Sequence, residues 1–152
     1  MRELIAFTLL GEAASKANQR RLVTIAERPA FVKSKKALAF ERGALLQIPA
    51  WARQRLEGPV RVTLRMFYAS ERPDLDESVV LDVLQDRYHG KGEQRRLVQP
   101  GVYRNDRQVR EKHVFHAVDM HCPRVEVEVE AVNAQQVALA LEGGETFEPL
   151  PF

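Results

Sequence analysis

The segment RPDLD at 72–76 sets two aspartates, Asp74 and Asp76, one residue apart behind an arginine and a proline. In extended backbone, residues two apart project from the same side. Two carboxylates held that way repel each other and shift each other's protonation unless a cation neutralises them. Oxygen donors of this kind suit a hard divalent ion, Mg2+ with Mn2+ as a substitute. Such an ion activates water and stabilises the charge that develops on a phosphodiester under attack. A plainer reading needs no metal: Asp76 caps the helix that follows, and Asp74 is a turn residue.

A third carboxylate, Asp106 in YRNDRQV, lies immediately before a long strand pattern, where a neighbouring strand edge is expected to bring it beside Asp74 and Asp76. The basic residues are segregated around these acids. Residues 11–42 and 87–112 each carry eight Lys or Arg against three acids, whereas 43–86 and 113–152 are net acidic. Lys16, Arg20 and Arg21 in the first basic segment, and Lys91, Arg95, Arg96 and Lys112 in the second, are candidate contacts to a phosphate backbone, which position a nucleic acid without reading its sequence. If the two segments converge in space they surround the acidic centre with a phosphate-attracting field. The alternative is that they are ordinary solvated faces and loops. Three acids at the ends of elements, flanked by basic segments, fit a metal-dependent enzyme acting on a polyanion.

Other clusters carry less chemistry. His113, His116, His121 and Cys122 resemble a zinc set in spacing only. On a strand His113 and His116 face opposite sides, and His113 and His121 lie about 26 Å apart at roughly 3.3 Å per residue, too far for one ion. The stripe Glu126, Glu128, Glu130 alternates with Val125, Val127, Val129 and reads as a strand with one wet face. Cys122 is the only cysteine, which excludes an internal disulfide and a cysteine cage for zinc.

The elements that must position these residues follow from periodicity. A chain of 152 residues with 45% apolar content is about one domain. No apolar run is long enough for a membrane span and no signal segment is evident, which predicts a cytoplasmic protein. A first strand is expected at 3–9, and a short second one near Leu22 to Ile25. Ser34 is placed to cap a helix whose apolar stripe is Ala37, Phe40, Ala44 and Ile48. Lys35 and Lys36 in its first turn oppose the helix dipole and point to an anion nearby. Pro49 interrupts this helix or restarts it as AWARQRLE. Residues 60–68 alternate strictly as a strand, ending just before RPDLD. ESVVLDVLQD is a short helix with Val79, Val80, Val83 and Leu84 inward. RYHGKGEQRRLVQPGV has no periodicity and reads as a long loop, of the kind usually functional or mobile. Strands follow at 109–120 and 125–130, then a short helix near 134–141 and a tail. There is no internal repeat.

Together the two acidic blocks are specific enough to name a likeness. The sequence resembles the RusA family of Holliday junction resolvases, small phage- and prophage-associated endonucleases marked by a D-x-D-N pair opening a helix and a D-D-x-Q-V-type element opening a strand. RPDLDE at 72–77 is similar to the first block, GVYRNDRQV at 101–109 to the second, and GEAASKANQRR at 11–21 to the family's G-x-x-x-S-K-x-N-x-R run. The likeness covers about residues 4–130. It implies an α+β fold, a small mixed sheet packed with two main helices over residues 1–132, with 133–152 adding a short helix and tail to the same domain. It further implies a Mg2+-dependent endonuclease that resolves four-way DNA junctions by paired nicks, in recombination and repair, with Asp74, Asp76 and Asp106 as catalytic and metal-holding residues and no small-molecule cofactor. A two-fold substrate nicked symmetrically calls for a homodimer.

Two departures matter. Glu77 stands where the family usually has asparagine, and Val80 where it usually has a lysine implied to assist at the phosphate. Lys91 or Lys112 is expected to supply that cation from elsewhere. The departures leave open a catalytically weakened, RusA-like protein that binds junctions as an accessory. A nuclease of branched or flapped DNA is the third reading.

Overall fold

The computed structural model describes residues 4–14 and 20–132; Lys16 and the helix expected near 134–141 lie outside the described residues. Four strands form the main sheet: β1 (Leu4–Leu10), β4 (Val60–Tyr68), β7 (Val109–Val118) and β8 (Arg124–Ala131). Their spatial order is β1-β8-β4-β7, with β4 parallel to β7 and the other two pairings antiparallel. The result is a mixed sheet with two helices, α1 (Lys35–Gln47) and α2 (Ser78–Leu84), an α+β fold as expected.

The alternation along β4 decides which face is covered. Val60, Val62, Leu64, Met66 and Tyr68 are each at most 1% exposed and meet Val125, Val127 and Val129 of β8 on the same side. Against that side pack Ala37, Phe40 and Ala44 of α1 and Val79, Val80, Val83 and Leu84 of α2. The opposite face is wet and charged. Arg61 pairs with Glu111 and Glu130, Arg65 with Glu128, and Arg124 with Glu126. The glutamate stripe is therefore the solvated side of a strand rather than a ligand set.

Ser34 caps α1 by accepting the Ala37 N–H at 3.2 Å, and the expected stripe is buried. The anion implied by the two lysines of the first turn is Glu12, whose Oε1 accepts from Lys36 Nζ at 2.5 Å. Among the described residues no helix is long and apolar enough to cross a membrane.

Two sequence expectations are corrected, and a third, the short second strand, is borne out and extended. The AWARQRLE helix is only a single 3-10 turn at Ala50–Ala52. Beyond it the chain is irregular, with a positive φ at Arg55, and Arg55 and Leu56 donate their N–H groups to the carbonyls of Gly101 and Val102. Tertiary pairing here overrides helix propensity. The short second strand is one arm of a hairpin, β2 (Arg20–Ile25) with β3 (Arg28–Lys33), turning at Ala26 and Glu27, both with positive φ. That dipeptide lacks the Asn-Gly signature of such a turn, and Pro29 obscures the second arm. The supposed long loop after α2 contains a second hairpin, β5 (Arg87–His89) with β6 (Arg96–Gln99), joined through Gly90, Gly92 and a 3-10 turn at Gly92–Gln94. A register shift between Arg87 and Tyr88 breaks the alternation that would have revealed it.

Candidate metal and phosphate site

The connection from β4 to α2 carries Asp74, Asp76 and Glu77. Asp74 is exposed, and Asp76 and Glu77 are half-buried. The N-cap of α2 is Glu77, not Asp76, but from one position ahead of it Asp76 Oδ1 accepts the Ser78 N–H at 3.0 Å and the Ser78 hydroxyl at 2.8 Å. Its own N–H donates to the phenolic oxygen of Tyr68 at 3.2 Å. Tyr68 is buried at the end of β4 and stacks on His116 of β7, ring centroids 5.0 Å apart. Burial, with help from Asp76, Glu12 and Glu77, pushes the Tyr68 phenol above its ordinary pKa, which keeps it neutral. The acidic loop is thus braced from below by an uncharged ring.

The edge strand supplies a cation to the same place. Parallel pairing sets Lys112 opposite Val62 and His116 opposite Met66, on the side of the sheet that α2 covers. From there Lys112 Nζ reaches Glu77 Oε1 at 2.6 Å. Burial by itself would raise the Glu77 carboxyl, yet the Lys112 hydrogen bond and charge bring it below the usual carboxylate range. Val80, where the resemblance leads one to expect a lysine, is 0% exposed and packed in the core. Of the two expected substitutes, Lys112 lies at the acidic loop. Lys91 lies at the tip of the β5–β6 hairpin, just before its 3-10 turn.

Asp106 is placed differently from the expectation. Because β7 runs parallel to β4, the residues preceding β7 lie near the start of β4, whereas Asp74 and Asp76 follow its end. Asp106 opens a 3-10 turn, and its N–H donates to Gln85 Oε1 at 3.2 Å, one residue past the end of α2. Asp76 and Asp106 therefore bracket α2, seven residues or about 10 Å of helix. Asp106 instead neighbours Asp82, half-buried on α2, whose carboxyl is pushed up by burial and further by Asp106 and Glu41 despite the opposing pull of Lys33. Beside them Tyr103, buried, donates its hydroxyl to the Leu81 carbonyl at 2.9 Å. Among the described residues no three His, Cys, Asp or Glu side chains group closely enough to hold a metal ion. The histidines stay apart as expected: His113 bonds Glu111 on the open face and His116 stacks on the other.

Of the expected phosphate contacts, Arg20 and Arg21 fall on β2, Arg96 on β6 and Arg95 just before it, and Lys112 on β7. Arg95 lies over the ring of half-exposed Tyr88, 4.1 Å from its centroid. Sequence reasoning missed three acids that organise this region. Glu12 joins Lys36 to the Ala69 N–H (Oε2, 2.8 Å), tying the loop after β1 to the end of β4. Glu41, 7% exposed, sits between Lys33 (2.7 Å) and Arg87 (2.8 Å). Asp86, with a fully buried side chain, takes Arg55 through both oxygens and the Gly101 N–H at 2.8 Å. Only Glu41 left a trace in sequence, as a charge next to the apolar stripe of α1. Lys33, Asp82, Gln85, Asp86, Arg87 and Tyr88 line an open pocket of about 280 Å3 between the hairpin roots.

No protein-family model matches the chain, and no curated protein matches its sequence.

Proposed function

We propose that the protein is a Mg2+-dependent, structure-selective DNA endonuclease of the RusA type, acting as a homodimer on four-way junctions. The observation that carries this reading is the acidic loop at the mouth of α2, Asp74 and Asp76, with Lys112 delivered to it from the edge strand through Glu77. The two aspartates are oxygen donors of the type a hard divalent ion takes, and both retain solvent access. Asp106 is the member of the expected trio that the fold of one chain does not bring to that pair. When bound, the ion supplies activation of water and charge stabilisation at the scissile phosphate. The chain's own parts have separate tasks. Tyr68 and Ser78 hold the Asp76 segment in place, Lys112 offers a positive charge to a phosphate oxygen, and the basic hairpins bind the backbone of the DNA arms.

Two observations favour the second reading, a junction-binding protein with weakened catalysis: the lysine position of the family is the buried Val80, and Asp106 stands at the other end of α2. A synthetic four-way junction incubated with Mg2+ or Mn2+ separates the two. Wild type is expected to nick it, EDTA to stop nicking while binding persists, and Asp76→Asn to bind without nicking. Binding without nicking by the wild type leaves the accessory reading. Equal nicking of junctions and of matched flapped substrates points to a general branched-DNA nuclease.

A further inference from the structure

The two hairpins outside the main sheet share a composition that sets them apart. Residues 20–33 and 87–99 each hold four Lys or Arg against one Glu, a net charge of +3 apiece. Each is a separate two-stranded sheet that does not pair with the main sheet, and a lone hairpin is marginally stable in water. Something must fix their placement.

That link is Glu41. It lies on α1 among the core positions Ala37, Phe40 and Ala44, nearly removed from solvent. One oxygen accepts from Lys33, the last residue of β3, and the other from Arg87, the first residue of β5. Lys33 pairs in register with Arg20, and Arg87 with Gln99, so both contacts are at hairpin roots. A buried carboxylate of this kind is a poor device for stability, because desolvation offsets most of the Coulomb gain and an apolar residue of similar volume does as well or better. What it does supply is registry between two elements. The two basic segments, far apart in sequence, are joined through a single carboxylate.

We propose that Glu41 is a positioning residue for nucleic-acid binding, locking the two basic hairpins into one fork that grips phosphate backbone on both sides. The partner is nucleic acid rather than an acidic peptide, because the second hairpin also presents Tyr88 stacked with Arg95, an aromatic and guanidinium pair suited to sugar and base. The proposal deepens the nuclease reading but concerns binding alone.

The test exploits a conflict of signs. Glu41→Gln removes a negative charge from a basic surface, so field electrostatics alone predicts equal or tighter binding. Positioning predicts weaker binding. Arg87→Lys keeps every charge and changes only the geometry of the link, and it decides the matter if Glu41→Gln does not fold. Affinity of the full chain for a labelled four-way junction is measured by fluorescence anisotropy in EDTA, at several salt concentrations, beside thermal melting. The expected result is at least five-fold weaker binding for each folded variant, with a shallower dependence of log affinity on log salt, since fewer phosphates are engaged at once. Unchanged or tighter binding by both folded variants overturns the fork, as does a wild type that binds no DNA. A wild type that binds but never nicks with Mg2+ defeats the endonuclease reading and leaves the fork to the variants.

Discussion

Lys112 Nζ on the edge strand lies 2.6 Å from Glu77 Oε1 at the mouth of α2, although the two residues are 35 positions apart in sequence. Glu77 stands at the N-cap of α2 and Lys112 on the strand beside it, so the contact joins two elements that no local spacing connects. Packing explains why they occur together. Val80 closes the core under α2, and Lys112 reaches the acidic loop from the neighbouring strand, where Glu77 holds it.

Lys112→Ala is therefore expected to lower junction nicking about 100- to 1000-fold, the range mutagenesis gives for loss of one group stabilising transition-state charge, while junction affinity falls less than about three-fold. The Lys112 side chain is 43% exposed, so the pair contributes at most about 1 kcal/mol to stability. Nicking rates and anisotropy on the same preparations check this, and wild-type nicking by Lys112→Ala removes Lys112 from the chemistry.

Much of this arrangement was legible in sequence where a single local rule governs an element. Ser34 as a cap, the alternation of β4 from Val60 to Tyr68, and the inward Val79, Val80, Val83 and Leu84 of α2 all follow from one periodicity or one hydroxyl. The hairpins were hidden because one turns at Ala26-Glu27 and the other has a register shift at Arg87 and Tyr88 before its Gly90 and Gly92 turn. The position of Asp106 was not legible because it depends on strand direction. A strand pattern shows which residues share a face but not whether the strand runs parallel to its neighbour, and here parallel pairing sends Asp106 to the opposite end of α2. Glu41, Asp86 and Glu12 act through partners 8 to 57 residues away, which no local spacing reveals.

Asp86 sets an acid limit on stability. Burial works to raise its carboxyl, but the Arg55 guanidinium and the Gly101 N–H outweigh it and hold the group below the usual range. A depressed folded-state pKa stabilises the protein above the unfolded value, about 3.9 for aspartate, and that contribution fades as pH falls through the folded-state value. Asp86→Asn is expected to cost about 1–3 kcal/mol at pH 7, with the gap to wild type narrowing below about pH 4. Urea unfolding at pH 7 and pH 3 measures both, and a gap that widens in acid contradicts the assignment.

Asp82 carries the opposite sign. Burial, Asp106 and Glu41 favour its neutral form, so its charge destabilises the folded chain at neutral pH. Asp82→Asn is expected to raise the melting temperature by a few degrees, roughly the effect of 1 kcal/mol in a domain of this size. Nicking separates two roles. A stabilised variant with full activity makes Asp82 a bystander, and a stabilised variant with lost activity places it in the chemistry, the usual trade between stability and a strained site. A melting temperature below wild type contradicts the reading of its environment.

Gly101 is where the Asp86 network meets the backbone. A Cβ there would lie 2.3 Å from the Gln85 carbonyl carbon and 2.5 Å from the Asp86 nitrogen, both main-chain atoms that cannot yield without moving the end of α2. The same shift would pull the Gly101 N–H from Asp86 and the Val102 N–H from the Leu84 carbonyl. Gly101→Ala is expected to cost more than about 4 kcal/mol, at the severe end for a single substitution. Gly43 is the internal control. It sits in the middle of α1, and an added Cβ meets only the Gln47 amide nitrogen at 3.8 Å. Gly43→Ala should therefore stabilise by about 0.5–1 kcal/mol through helix propensity and a less flexible unfolded chain. Chemical denaturation of the two variants side by side tests the pair, and a mild effect at Gly101 would mean that α2 and the Asp86 network are not locked together as described.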